Sequence, residues 1–146
     1  MRNSIFLALV ILCTLMVSPS FADKAKKGGH LVPTVIKNMG VTKDGDAELF
    51  CLDFSDPRIP DLETIDDESN PRLFFDVIEV KEWKGQSTYE IKGAMIRQVR
   101  TGFNNDSKKL RVVLDLNPKY NYNIEPSYDD RYNLFCIAIS ARSVRQ

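Results

Sequence analysis

The chain has 146 residues, 20 lysines and arginines against 20 aspartates and glutamates, one histidine and three cysteines. That length holds one domain with little to spare. The balanced charge excludes the basic excess of a dedicated nucleic-acid binder, and a single histidine leaves little for histidine catalysis or a histidine metal site.

The first 22 residues have the layout of a cleaved signal peptide: Arg2, a 13-residue run from Ile5 to Val17, and the small-x-small pattern Ser20-Phe21-Ala22. A retained anchor is the competing reading, but the run falls short of the roughly 20 apolar residues of a spanning helix. Cys13 follows Leu12, where a lipidated cysteine needs a small residue before it, so it reads as part of the signal. Cleavage predicts a periplasmic chain from Asp23 with no stable membrane span, and loss of Arg2 leaves one more acid than base.

Residues 23–31 are charged and Gly-rich, which predicts a flexible leader holding His30. The folded domain is expected over 32–141, with a tail at 142–146. Val32 to Val41 reads as extended and leads into Lys43-Asp44-Gly45-Asp46, a hairpin signal. In the strand 48–54, Phe50, Leu52 and Phe54 share one face while Cys51 falls on the other. The polar stretch 55–70 carries Asp61, Glu63, Asp66, Asp67 and Glu68 without the ligand spacing of a calcium loop, so it reads as a solvated connection. Leu73 to Val80 is apolar on both faces, as in a central strand. Further strands are expected at 88–91, 95–103 and 110–116. Residues 117–131, rich in proline and tyrosine, read as a connection before a last strand at 133–140. No stretch of ten or more residues shows a capped helical stripe.

At an offset of 62, Gly40 meets Gly102, Asp44 meets Asp106, Leu52 meets Leu114 and Asp53 meets Asp115. Each half therefore reads as an extended segment, a polar turn, a strand, a polar connection and a closing strand. A three-stranded sheet from each half would have one apolar face and could not stand alone, so the two are expected to form an all-β sandwich of pseudo-symmetric sheets. The expected inner layer is Phe50, Leu52, Phe54, Phe75, Val77, Val112, Leu114 and Leu116. Cys51 and Cys136 would lie in a compartment that permits disulfides. Their faces do not obviously match, so two separate buried thiols are expected, with a bridge as the alternative.

Two stretches resemble a known family. Asn70-Pro71-Arg72-Leu73-Phe74-Phe75-Asp76 and Arg111-Val112-Val113-Leu114-Asp115-Leu116 are similar to conserved segments of the AMIN domain, and Ile96 to Gly102 resembles the segment before the second of them. The likeness covers about residues 35–140. It implies a β-sandwich module of the bacterial envelope, of the kind that helps place periplasmic N-acetylmuramoyl-L-alanine amidases and type IV pilus secretins on peptidoglycan. Here the module would stand alone.

Three function classes follow. An enzyme is disfavoured: no serine–histidine or cysteine–histidine pairing, phosphate loop or metal-ligand spacing is present, and Asp66 with Asp67 sits in a solvated loop rather than as a glycosidase pair. No cofactor is expected. A peptidoglycan-binding module suits the chemistry better, since guanidinium groups pair with peptide carboxylates and rings stack on sugars. Arg97, Arg100 and Arg111 are the candidates for the first role, and Trp83, Tyr89, Tyr120 and Tyr122 for the second. The alternative is a protein–protein adaptor in a pilus, secretin or division assembly, docking through an open sheet edge.

Overall fold

The computed structural model describes residues 32–144. The signal and leader readings, His30 with them, lie outside the described residues. Strict alternation makes the central strand β2 (Ala47–Phe54): Glu48, Phe50, Leu52 and Phe54 are buried, and the residues between them are not. The same period shapes β4 (Arg72–Val77) and β7 (Lys109–Leu116). Around them run β1 (Ile36–Asp44), β3 (Glu63–Ile65), β5 (Thr88–Glu90), β6 (Ile96–Asn104), β8 (Tyr120–Asp129) and β9 (Leu134–Val144).

The named strands pair antiparallel throughout, with one isolated parallel bridge between Thr34 and Val80, and build two sheets, a four-stranded one in the order β1-β2-β9-β8 and a five-stranded one in the order β3-β4-β7-β6-β5. The sheets pack face to face. The eight expected inner-layer residues are all buried, joined by Leu73, Val99, Leu110, Phe135, Ile137 and Ile139. Phe75 stands between Phe50 and Phe135 of the other sheet, its ring edge-on to both at 6.1 and 5.8 Å. Each such ring contributes about 2–3 kcal/mol by leaving water. Among the described residues no helix is long and apolar enough to cross a membrane.

The sandwich is as expected, but its assembly is not. The hairpin β1–β2 takes as its third strand β9, from the end of the second half, and the hairpin β6–β7 takes β4, from the end of the first. Each half thus sends its closing strand to the opposite sheet, so neither sheet belongs to one half. This exchange corrects the reading of one three-stranded sheet per half, and β8, β3 and β5 widen the sheets to four and five strands. The two hairpin turns also differ: Gly45, at φ 60°, and Asp46 close the first, whereas 105–108 close the second.

The exchange overturns the cysteine expectation. With β9 beside β2, Cys51 and Cys136 are direct cross-strand neighbours, 4.2 Å apart at Cα, and they are joined as a disulfide on the outer face of the sheet. That spacing is the close, non-hydrogen-bonded pair of an antiparallel ladder. Two more readings change. The stretch 117–131 contains β8, in which Tyr120, Tyr122, Ile124 and Tyr128 turn one half-buried face to the core; Pro126 is tolerated because β8 is an edge. The acidic connection contains β3, and β9 runs to Val144, past the expected boundary at 141. β4 stops at Val77, before Glu79 adopts a left-handed φ of 54°.

Candidate functional site

The outer face of the five-stranded sheet carries charge because alternate residues of β4, β6 and β7 must point away from the core. Register sets which charges meet. Asp115 of β7 lies across from Arg72 on one side and from Gln98 on the other, and Arg100 lies one step away, opposite Val113. Arg100 takes both carboxylate oxygens: its Nε donates to Oδ2 at 2.6 Å and its Nη2 to Oδ1 at 2.7 Å. That bidentate pair, with the Asp115 hydrogen bonds as the largest cause, raises Arg100 above the usual guanidinium range.

Arg72 is thereby left half-buried beside a carboxylate already spent on another arginine. Its Nε is buried without a hydrogen-bond partner, and no salt bridge within the described residues engages it. Arg97 is exposed and likewise has no carboxylate partner there. Arg72, Arg97 and Arg100 line one cleft of about 580 Å³, together with Asn70, Gln98 and Glu90. Gln98 donates its amide to Glu90, so that carboxylate is already engaged. The cleft offers two guanidinium groups outside any salt bridge among the described residues, a half-buried Arg72 whose Nε lacks a partner and whose charge also reaches Asp67, and an exposed Arg97. Such an arrangement recognises a carboxylate or another oxyanion.

Arg111 lies elsewhere on the same face and does not line this cleft. Its Nε and Nη2 donate to Asp76 at 2.7 and 2.8 Å, Lys109 adds a third donor at 3.0 Å, and the guanidinium stacks 5.2 Å over the Phe74 ring. Led by the Arg111 hydrogen bonds, these contacts pull Asp76 down to about 2. The three arginines grouped by sequence are therefore split two and one, and Arg72 replaces Arg111 in the cleft. Sequence held a signal for it: Arg72 alternates with Leu73 at the head of β4 and stands in the quoted Asn-Pro-Arg motif.

No family model, curated protein or solved structure matches this chain.

The four aromatic candidates do not join the arginines. Trp83 donates Nε1 to Thr101 Oγ1 at 3.1 Å, and Tyr89 accepts at its hydroxyl from the Gln86 amide at 2.7 Å. Both line a separate cleft of about 310 Å³ beside β1. Gly85 closes over them; a Cβ there would stand 2.1 Å from the Trp83 ring. Tyr120 and Tyr122 meet edge to face at 6.4 Å, and the Tyr122 hydroxyl donates to the Asn117 carbonyl. Tyr122 faces a cleft of about 260 Å³ whose wall also includes Arg72.

Asp67 accepts from the Ser69 hydroxyl and amide at 2.7 and 2.8 Å, and from the Asn70 amide, which hold it below the usual carboxylate range, whereas a catalytic acid needs the reverse. Sequence reasoning missed Glu48. It occupies an inward position of β2, is buried, and its carboxylate accepts from the amides of Ala94 at 2.5 Å and Ile96 at 2.7 Å, with Met95 between them. It ties the four-stranded sheet to the loop before β6 and to the first residue of that strand.

Proposed function

We propose that this chain is a non-catalytic module of the cell envelope, resembling an AMIN domain, that localises to peptidoglycan in the periplasm. The observation that carries the reading is the cleft in which Arg72 and Arg97 stand outside any salt bridge among the described residues, beside the Arg100–Asp115 pair. Stem-peptide carboxylates of the wall fit two such guanidinium groups, and Asn70 and Gln98 supply neutral polar contacts at the rim. A half-buried cation outside any salt bridge costs stability that a bound anion returns.

Co-sedimentation with purified sacculi tests the reading. The chain is expected to pellet at low salt, and the folded Arg72→Gln/Arg97→Gln variant to stay in the supernatant. Arg111→Gln should pellet like wild type, since Arg111 is committed to Asp76. If wild type remains soluble at every ionic strength, direct wall binding is wrong and an adaptor role takes its place.

A further inference from the structure

The acidic stretch after β2 is not used by the arginine cleft, yet it builds a distinct surface. It contains β3, the edge of the five-stranded sheet, which pairs with β4 on one side only among the described residues. All three residues of β3 are exposed. Edges of this kind are normally covered, bulged or guarded by lysine or proline, because unpaired amides and carbonyls template another strand. Within 63–65 there is no lysine and no proline.

Large apolar side chains gather at this edge. Of the five exposed large hydrophobic residues among the described residues, Ile59 at 68 %, Ile65 at 40 % and Ile78 at 48 % flank β3 or lie on it. The edge has a hollow at each end. One, of about 390 Å³, has Ile59, Pro60, Val77 and Ile78 in its wall, and the other, of about 260 Å³, has Ile65, Leu116 and Ile124. The stretch itself is acidic: residues 59–71 hold five acids and no base, with Glu63 within electrostatic reach of Arg111 on the neighbouring face. The nearest cations beside the larger hollow are spent, Arg58 on Asp56 and Lys109 with Arg111 on Asp76. The larger hollow has the Asp56-paired Arg58 in its wall, and the smaller has Arg72 and Arg142.

We propose that β3 is a docking edge for an extended, lysine-bearing apolar segment of another protein, which adds as a sixth strand. Main-chain hydrogen bonds to β3 supply affinity. Aliphatic side chains fill the two hollows, and lysines face Asp61 and Glu63. The edge shares Arg72 with the arginine cleft at its smaller hollow, whereas Arg97 belongs to the cleft alone, so an Arg97 variant tells the two apart.

The test uses isotope-labelled chain and a capped hexapeptide alternating valine with lysine, followed by amide chemical shifts. Shifts centred on 63–65, with Ile59 and Ile78 perturbed, are expected. Asp61→Asn/Glu63→Gln should weaken binding about three- to tenfold. Ile59→Asp should weaken it as well, while Arg97→Gln, which weakens wall binding and lies outside both hollows, should leave the 63–65 shifts in place. A peptide alternating valine with glutamate should bind more weakly, and one with proline at every second position should not bind. Equal binding of the glutamate peptide overturns the charge argument, and equal binding of the proline peptide overturns strand addition. Shifts confined to β1, β5 or β8, or no shifts, overturn the choice of edge. Shifts at 63–65 that grow with the chain's own concentration and need no peptide assign the edge to a second copy and also overturn the proposal.

Discussion

Asp76 shows how one outward residue can report on the fold. Its carboxyl lies at about 2 in the folded chain against an ordinary 3.8, because Arg111 and Lys109 stabilise its charged form. A depressed folded pKa gives stability that is whole above about 4 and is lost as pH falls through 2. After allowance for a half-exposed partner, Asp76→Asn should cost about 1–2 kcal/mol at pH 7, a small fraction of that at pH 2, where about half of the folded chains still carry the charge, and nothing well below it. Denaturant melts of both proteins across that range check it; a difference that does not shrink on acidification contradicts the assignment. Glu48 works from the inside. Three amides share its carboxylate, so Glu48→Ala leaves them buried and unpaired, at a cost of about 2–4 kcal/mol in urea unfolding. Gly93 is part of the same device: a Cβ there would stand 2.4 Å from a carboxylate oxygen that the amides hold in place, so Gly93→Ala should also destabilise. An unfolding midpoint unchanged in either variant would show that the clamp contributes nothing. Neither residue stood out in sequence. A glutamate at an inward position reads as an interruption of the pattern until its partners, 46 to 48 residues away, are known.

At the level of strands, alternation in 48–54, 73–77 and 110–116 was enough to place the core, since period two leaves each residue only two faces. It could not say which strand neighbours which. The repeat suggested that each half closes on itself, whereas a closing strand that crosses to the other sheet satisfies the same pattern. That crossing decides the cysteines: only with β9 beside β2 do Cys51 and Cys136 face each other. β8 escaped notice because Pro118, Pro126 and the polar residues between its tyrosines carry turn signals. At an edge, proline costs no ladder bond, and tyrosine can be half-buried. The bridge closes a separation of 85 residues across the centre of the four-stranded sheet. Reduction, or Cys51→Ser/Cys136→Ser, should therefore cost about 2–5 kcal/mol. Urea unfolding with and without reductant reads this directly, and equal midpoints would contradict it. Leu114→Asp, an uncompensated charge facing both sheets, should prevent folding at ordinary temperature.

For the molecule as a whole, the sandwich joins two surfaces of different character, an arginine cleft on one broad face and an acidic, aliphatic edge beside it. Arg97 and Arg100 were legible as outward cations, but which of them is free was not. That depends on register: Asp115 sits between Arg72 and Arg100 and can satisfy only one of them bidentately. The aromatic candidates were chosen by residue type, and Trp83, Tyr89 and Tyr122 instead hold backbone or loop groups in place. The central claim is that the Arg72 and Arg97 guanidinium groups of this cleft read a carboxylate on the wall. Calorimetric titration with soluble muropeptides, in free-carboxylate and amidated forms, tests it most directly. Free-carboxylate fragments should bind about ten- to a hundredfold more tightly than amidated ones, and Arg72→Gln/Arg97→Gln should abolish the difference. Equal affinity for both forms, or an unchanged preference in the folded variant, would contradict it.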